Sequence, residues 1–249
     1  MYFFLSQLAF MDICQTLIEV PKMSAGFLTP GNPISPAGCG AQIFLSLMMG
    51  GAAALLLAVM AYDRYVAICK PLQYPVLLSR RVCLGLAAGV WIGAAADALN
   101  HSVHTVHLPY CGSKYIDQFA CKIQSLLKLS CSDTSQYETL LYVTSSVLLL
   151  IPSSIILASY THILSTVLRM KSTKGQQKAL ATCSSHLTVV GMSNGAAIVM
   201  YMRPNASRSP EQDKMSSVFC TIVTPVLNPL IYSLRNRDVL GALRQLVGK

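Results

Sequence analysis

Long apolar runs separated by short polar segments dominate this chain. Residues 41–61, 139–168, 179–202 and 215–234 contain no Asp, Glu, Lys or Arg, and residues 82–100 contain only Asp97. A helix rises ~1.5 Å per residue and the hydrocarbon core of a bilayer is ~30 Å thick, so uncharged runs of ~18 residues or more mark spans. Residues 1–20 form a weaker run that includes Asp12 and Glu19. Met1-Tyr2-Phe3-Phe4 lacks the basic start of a signal peptide, so this run reads as the beginning of a span. The pattern predicts an all-α membrane protein in one domain, residues 1–249, with spans near 1–22, 40–64, 82–103, 138–168, 179–202 and 215–234. Beyond Asn236, the residues Val239, Leu240, Leu243, Leu246 and Val247 recur at helical spacing, with Arg237 and Arg244 between them. They predict a short amphipathic helix over 236–247 on the membrane surface. Gly50-Gly51-Ala52-Ala53-Ala54 and Gly93-Ala94-Ala95-Ala96 predict close helix approach. Pro152 and Pro225 predict kinks.

Charge gives the bundle a direction. The chain carries a formal charge of +9, which by itself invites a nucleic-acid reading. Its lysines and arginines instead gather around Arg64, Lys70, Arg80 and Arg81, in the segment Arg169 to Lys178, and in the tail from Arg235. Six alternating spans put these three segments on one side. The positive-inside rule makes that side cytoplasmic, together with Met1 and the C-terminus. Cys39, Cys111, Cys121 and Cys131 then face the oxidising side, where disulfides persist. Four cysteines allow three pairings, and spacing alone leaves all three open. Cys14, Cys69, Cys83, Cys183 and Cys220 fall in spans or at the inner face and read as small apolar residues.

Three strings carry more specific information. Met60-Ala61-Tyr62-Asp63-Arg64-Tyr65-Val66-Ala67-Ile68-Cys69 closes the second span. Lys178-Ala179-Leu180-Ala181-Thr182-Cys183-Ser184-Ser185-His186-Leu187 opens the fifth. Pro225-Val226-Leu227-Asn228-Pro229-Leu230-Ile231-Tyr232-Ser233-Leu234-Arg235-Asn236 closes the sixth. Together they resemble the vertebrate odorant receptors, a branch of the rhodopsin-like G-protein-coupled receptors, and the likeness covers the whole chain. Residues 1–23, with Leu5-Ser6 and Pro21-Lys22-Met23, resemble that family's second helix. The resemblance implies a rhodopsin-like bundle in which the six spans match family helices two to seven. The family's first helix and outer tail are then absent from this sequence.

The resemblance also implies roles. Asp63, Arg64 and Tyr65 stand at the cytoplasmic end as the coupling switch, with Tyr160, His186 and Tyr232 near Arg64. Asn228 and Pro229 form the hinge of the last span. A positive-inside anchor and a plain proline kink are the simpler readings of the same residues. Asp12 is an intramembrane carboxylate that must face the bundle interior. Related receptors can hold sodium there with help from the next helix, but Ala53 occupies the matching position, so no bound sodium or other metal is expected. Helical spacing from Arg64 turns Ser46, Leu47, Gly50 and Gly51 inward near the outer side. Asn194, Ala197, Ile198 and Tyr201 do the same on the fifth span. Asn194 stands where the family usually has tyrosine. These residues form the expected ligand site, a mostly apolar cavity with few polar handles. Helix packing is the alternative for each. The resemblance pairs Cys39 with Cys121 and Cys111 with Cys131, with Cys39–Cys131 as the other choice.

The expected function is an odorant receptor of the plasma membrane. A small volatile organic molecule binds the outer cavity and activates a stimulatory, olfactory-type heterotrimeric G protein. The other reading is a truncated, non-signalling receptor fragment retained in the endoplasmic reticulum. Membrane lipid is an expected partner. Nucleic acid and cofactors are not expected. A transporter predicts paired intramembrane charges or an inverted repeat, and neither is evident. An enzyme is disfavoured because Asp12 and Asp97 fall in different spans, at opposite ends, with no nucleophile–base pair. His101, His104 and His107 read as a polar helix end rather than a metal site. Asn100 and Asn205 match the glycosylation sequon but lie too close to the membrane.

Overall fold

The computed structural model describes residues 2–28, 35–111, 121–127, 129–170, 172–199, 215, 218–219 and 223–235. The predicted tail helix over 236–247, Tyr201, Cys220 and Asn205 lie outside the described residues. The helices are α1 (Tyr2–Leu28), α2 (Pro36–Cys69), α3 (Tyr74–Leu77), α4 (Arg80–Val106), α5 (Ile123–Leu127), α6 (Ser135–Leu168), α7 (Thr173–Ala197) and α8 (Thr224–Arg235), with a 3₁₀ turn at Pro71–Gln73. Four of them, α1, α2, α4 and α6, are long and apolar enough to cross a membrane. Their outward side chains are greasy, as at Leu17, Ile92, Leu150, Leu157 and Leu168. An exterior of this kind is stable against lipid rather than water.

Local chemistry sets the helix ends. Ser35 caps α2, its Oγ accepting from the Gly38 amide at 3.1 Å, and Pro36 supplies a helix-ready φ at the first position. At the other end Lys70 precedes Pro71, which disfavours helical geometry, and the backbone there opens to φ −132°, ψ 53°. Asp63 and Arg64 are therefore not terminal, because α2 runs on to Cys69. Ser172 caps α7 in the same way, through the Gly175 amide at 3.3 Å. Helix α1 continues through Pro21 to Leu28, beyond the expected end near residue 22. Pro152 is buried inside α6, and Pro225 occupies the second position of α8.

Helix α2 is the axis of the bundle and packs against α1, α4, α6 and α7. At 34 residues it is ~50 Å long. The closest seam is with α4, where Ala52, Ala94 and Ala98 are buried and a Cβ on Gly51 would sit 3.7 Å from Ala94 Cβ. Small side chains let these backbones approach where water gives no hydrophobic push. A continuous core, including Phe4, Leu8, Met11, Leu56, Leu57, Val66, Ile163 and Val167, fills the half of the bundle nearer Arg64. A second, smaller cluster gathers Cys39, Ile43, Cys121, Ile123, Leu126, Leu127, Tyr137 and Leu141 around α5 at the other end.

Candidate functional site

Two polar constellations occupy opposite ends of the bundle. The first is a cavity of about 250 Å³ reached by α1, α2, α4, α6, α7 and α8 and covered by the segment of Cys121 to Gln124. Two cystines hold that cover. Cys39 is joined to Cys121, and Cys111 to Cys131. Gln42 adds a polar clamp, its Oε1 accepting from the Cys121 amide at 3.2 Å while its Nε2 donates to the Ile18 carbonyl at 3.4 Å. The loop that returns from α4 is tied down as well. The Cys131 amide donates to the Pro109 carbonyl at 3.0 Å, and Tyr110 bridges to Ser130 and donates its hydroxyl proton to the Thr105 carbonyl. Burial pushes the Tyr110 phenol above its ordinary pKa.

The lining is apolar over most of its surface, with Leu8, Met11, Ile43, Leu47, Leu141 and Leu148 among the walls. Ser46, Leu47, Gly50, Gly51, Asn194 and Ala197 all line it. A side chain at Gly50 would meet nothing within 4 Å, so the missing Cβ is what leaves that part of the cavity open. Asn194 donates to Ser153 Oγ at 3.1 Å, tying α7 to α6. Ile198 does not line the cavity. It is 49% exposed, because the chain widens into a π turn at 198–199 and rotates that side chain outward.

Sequence reasoning turned Asp12 toward the bundle interior but did not place Gln15, Glu19, Asp97 or His101 in the cavity. Asp12, Gln15 and Glu19 form one wall on α1, and Asp97 and His101 another on α4. Asp12 and Asp97 thus meet one cavity and are not at opposite ends. Asn228 Nδ2 donates to both oxygens of Asp12, at 3.2 and 3.3 Å. Ser46 Oγ donates to Glu19 Oε1 at 3.1 Å, and Gln15 Nε2 donates to the same oxygen. His101 is buried rather than a solvated helix end. Its Nε2 lies 2.8 Å from Thr144 Oγ1 and 3.6 Å from Asp97, and its Nδ1 3.3 Å from the Tyr137 hydroxyl. His104 packs on the Tyr137 ring, and His107 Nδ1 lies 2.8 Å from the Val103 carbonyl. The three histidines therefore share no ligand geometry, and no metal-binding cluster occurs among the described residues. The missed signal was periodicity. Positions 12, 15 and 19, and positions 97 and 101, fall on single helical faces.

The second constellation lies at the far end. Arg64 Nε is 3.9 Å from Asp63 Oδ2, and Tyr74 on α3 donates its hydroxyl proton to Asp63 Oδ1 at 2.9 Å. Desolvation, with the Asp63 carboxylate adding to it, pushes the Tyr74 phenol up to about 12. Tyr160 stacks on His186, with its hydroxyl 2.8 Å from Nδ1, and His186 lies within reach of the Arg64 charge. Tyr65 turns elsewhere, its ring 5.7 Å from the His162 ring and 5.7 Å from Lys70 Nζ. The side chains of Pro229 and Tyr232 lie outside the described residues, although both belong to α8.

Comparison with known proteins identifies a family for the whole chain. The family model described as olfactory receptor matches residues 1–249. Among curated proteins, human Olfactory receptor 2AG2 is 56% identical over 249 residues, covering 100% of this chain and 79% of that receptor. Mouse Olfactory receptor 2V1 is 53% identical over 245 residues, 98% of this chain and 78% of that receptor. Human Olfactory receptor 2T2 is 52% identical over 249 residues, 100% of this chain and 77% of that receptor.

Proposed function

Because the chain belongs to the olfactory receptor family, we propose that it detects small volatile organic molecules in the cavity beneath the Cys39–Cys121 cystine and passes the signal to a stimulatory heterotrimeric G protein at the Arg64 end. The observation that carries this reading is the cavity itself, an apolar-walled space of about 250 Å³ reached by every long helix. Binding pockets for drug-sized molecules run from roughly 300 Å³ upward, so this one suits a smaller ligand. A ligand that touches all the long helices can favour one arrangement of them, and it shifts their equilibrium only by its differential affinity for the two states.

Output belongs to the other end. Tyr74 on α3 and Arg64 both meet Asp63, so outward movement of α3 breaks the Tyr74 contact and changes the surroundings of the Arg64 charge for a partner protein. The basic segment Arg169 to Lys178 flanks that site. The charge distribution supports placing this end in the cytoplasm and the cystine end outside, in a receptor of the plasma membrane with its C-terminus inside. Expression in a cyclic-AMP reporter cell, challenged with vapour-phase organic molecules, tests the reading. A saturable rise that depends on surface receptor supports it. Silence toward a broad panel, at a surface level that suffices for a responding relative, contradicts it.

A further inference from the structure

The cover of the cavity reaches α2 at two successive helical turns, and both ties end on one residue. Cys121 is joined through its side chain to Cys39, and its amide donates to Gln42 Oε1 at 3.2 Å. Cys39 and Gln42 are three positions apart, so they share a face of α2. One cystine leaves rotation about its own bonds, whereas a second, directional contact to the main chain of the same residue removes it. The other cystine, Cys111–Cys131, joins two points of the same loop and makes no tie to α2. Gln42 also reaches α1, where its Nε2 donates to the Ile18 carbonyl at 3.4 Å. Pro21 has no amide proton for the carbonyl four residues back, so the α1 ladder is interrupted next to Ile18. Gln42 is 7% exposed, with both ends of its amide engaged. Apolar filling under the cover, from Ile43, Ile123, Tyr137 and Leu141, has no direction of its own. What the amide adds is direction.

We infer that Gln42 is the latch of the cavity: its amide holds the segment of Cys121 to Gln124 against α1 and α2, and a ligand enters and leaves when that amide lets go. As a statement about ligand traffic, this rests on the cavity being the ligand site. Gln42 is not among the residues that line the cavity. It acts through the cover and is a positioning residue. The fraction of time the cover stands open is set by the free energy of the contacts that close it, so removing the latch raises that fraction.

The test needs no ligand. Gly50→Cys places a thiol on the cavity wall, where a Cβ meets nothing within 4 Å. A charged methanethiosulfonate reagent labels it in the full chain purified in detergent. Mass spectrometry follows position 50 and also Cys183, a native thiol buried in the core toward Arg64. Added to Gly50→Cys, Gln42→Met keeps the side-chain length and loses both contacts. It should speed labelling at position 50 about tenfold, as suits the loss of one or two hydrogen bonds. Gln42→Asn is one methylene short and should do the same, which covers poor folding of the first variant. Gln42→Glu keeps an oxygen for the Cys121 amide in either protonation state and should restore most of the protection. Cys183 should label at its parent rate throughout, which a bundle loosened as a whole would not allow. Equal rates at position 50 with and without Gln42 overturn the latch, as does a parallel rise at Cys183. If labelling depends on Gln42 in a receptor that answers no volatile molecule, the latch stands as the gate of the cavity and only the ligand reading falls.

Discussion

The two ends of this bundle are built on opposite principles. Toward Arg64 the interior is filled, with Leu56, Leu57, Val66 and Val167 almost wholly enclosed and short contacts joining Tyr74 to Asp63 and Tyr160 to His186. Toward the cystines the interior is hollow, and the walls hold carboxylates, amides and a histidine. A hollow, polar end is poorly stabilised by packing, since a void deprives its lining of contact partners. It is held instead by covalent links and by the Gln42 clamp. A filled end needs no staple, but it has few ways to rearrange. Its polar contacts, Tyr74 with Asp63 and Tyr160 with His186, are the places where the reading proposed above puts a change of state.

The largest expected effect breaks the staple. The Cys39–Cys121 link closes 82 residues of chain, and in the chain-entropy description its loss costs about 4–5 kcal/mol. Cys39→Ser should lower surface expression and melting temperature sharply, and unchanged values for both count against the staple. Next comes a matched pair of truncations. Leu56→Ala in the filled core should cost about 2–5 kcal/mol by leaving a new void. Leu47→Ala already borders a void and should cost less than half as much. Equal losses of thermal stability in the two variants erase the contrast between the ends.

Smaller still is Tyr160→Phe. It removes the hydroxyl opposite His186 and should cost about 1 kcal/mol, while changing the basal reporter output more than ligand affinity. A shift in affinity alone is the opposite of what this end predicts. The smallest effect concerns pH. The Tyr74 phenol is raised to about 12 from an ordinary 10.0. The contact with Asp63 is thus fully present below about pH 10 and is lost as pH rises through about 12. The tyrosinate absorbance that disappears in Tyr74→Phe should titrate near 12, and a midpoint near 10 contradicts the contact.

The two ends also differ in how far the sequence revealed them. Four of the expected spans, α1, α2, α4 and α6, were legible because nearly charge-free runs report the bilayer directly; α7 is not among the helices long and apolar enough to cross, and part of the run 215–234 lies outside the described residues. The close α2–α4 seam followed from its glycines and alanines. The inward face of α2 was legible too, since Ser46, Leu47, Gly50 and Gly51 keep helical register with Arg64. That register failed at Ile198, where one wide turn rotates the chain. Glu19 and Gln15 were hidden for another reason. An acid near a span's end reads as a boundary residue until the helix is known to continue through Pro21 to Leu28. The inward placement of Asp97 and His101 depends on how α4 leans on α6, which is a tertiary fact.

Central to the account is the separation of a binding end from an output end, and one experiment addresses it. Surface-normalised cyclic-AMP concentration–response curves are recorded for the wild type, Gly50→Leu and Arg64→Ala, with ligand-induced thermal stabilisation measured on the same proteins. A Cβ at position 50 meets nothing within 4 Å, so Gly50→Leu extends a side chain into open cavity space. It should move the half-maximal concentration by about tenfold or more while keeping the maximum. Arg64→Ala should abolish the maximum yet keep the stabilisation by ligand. A Gly50→Leu curve that overlays the wild type, or an Arg64→Ala protein that signals fully, contradicts the account.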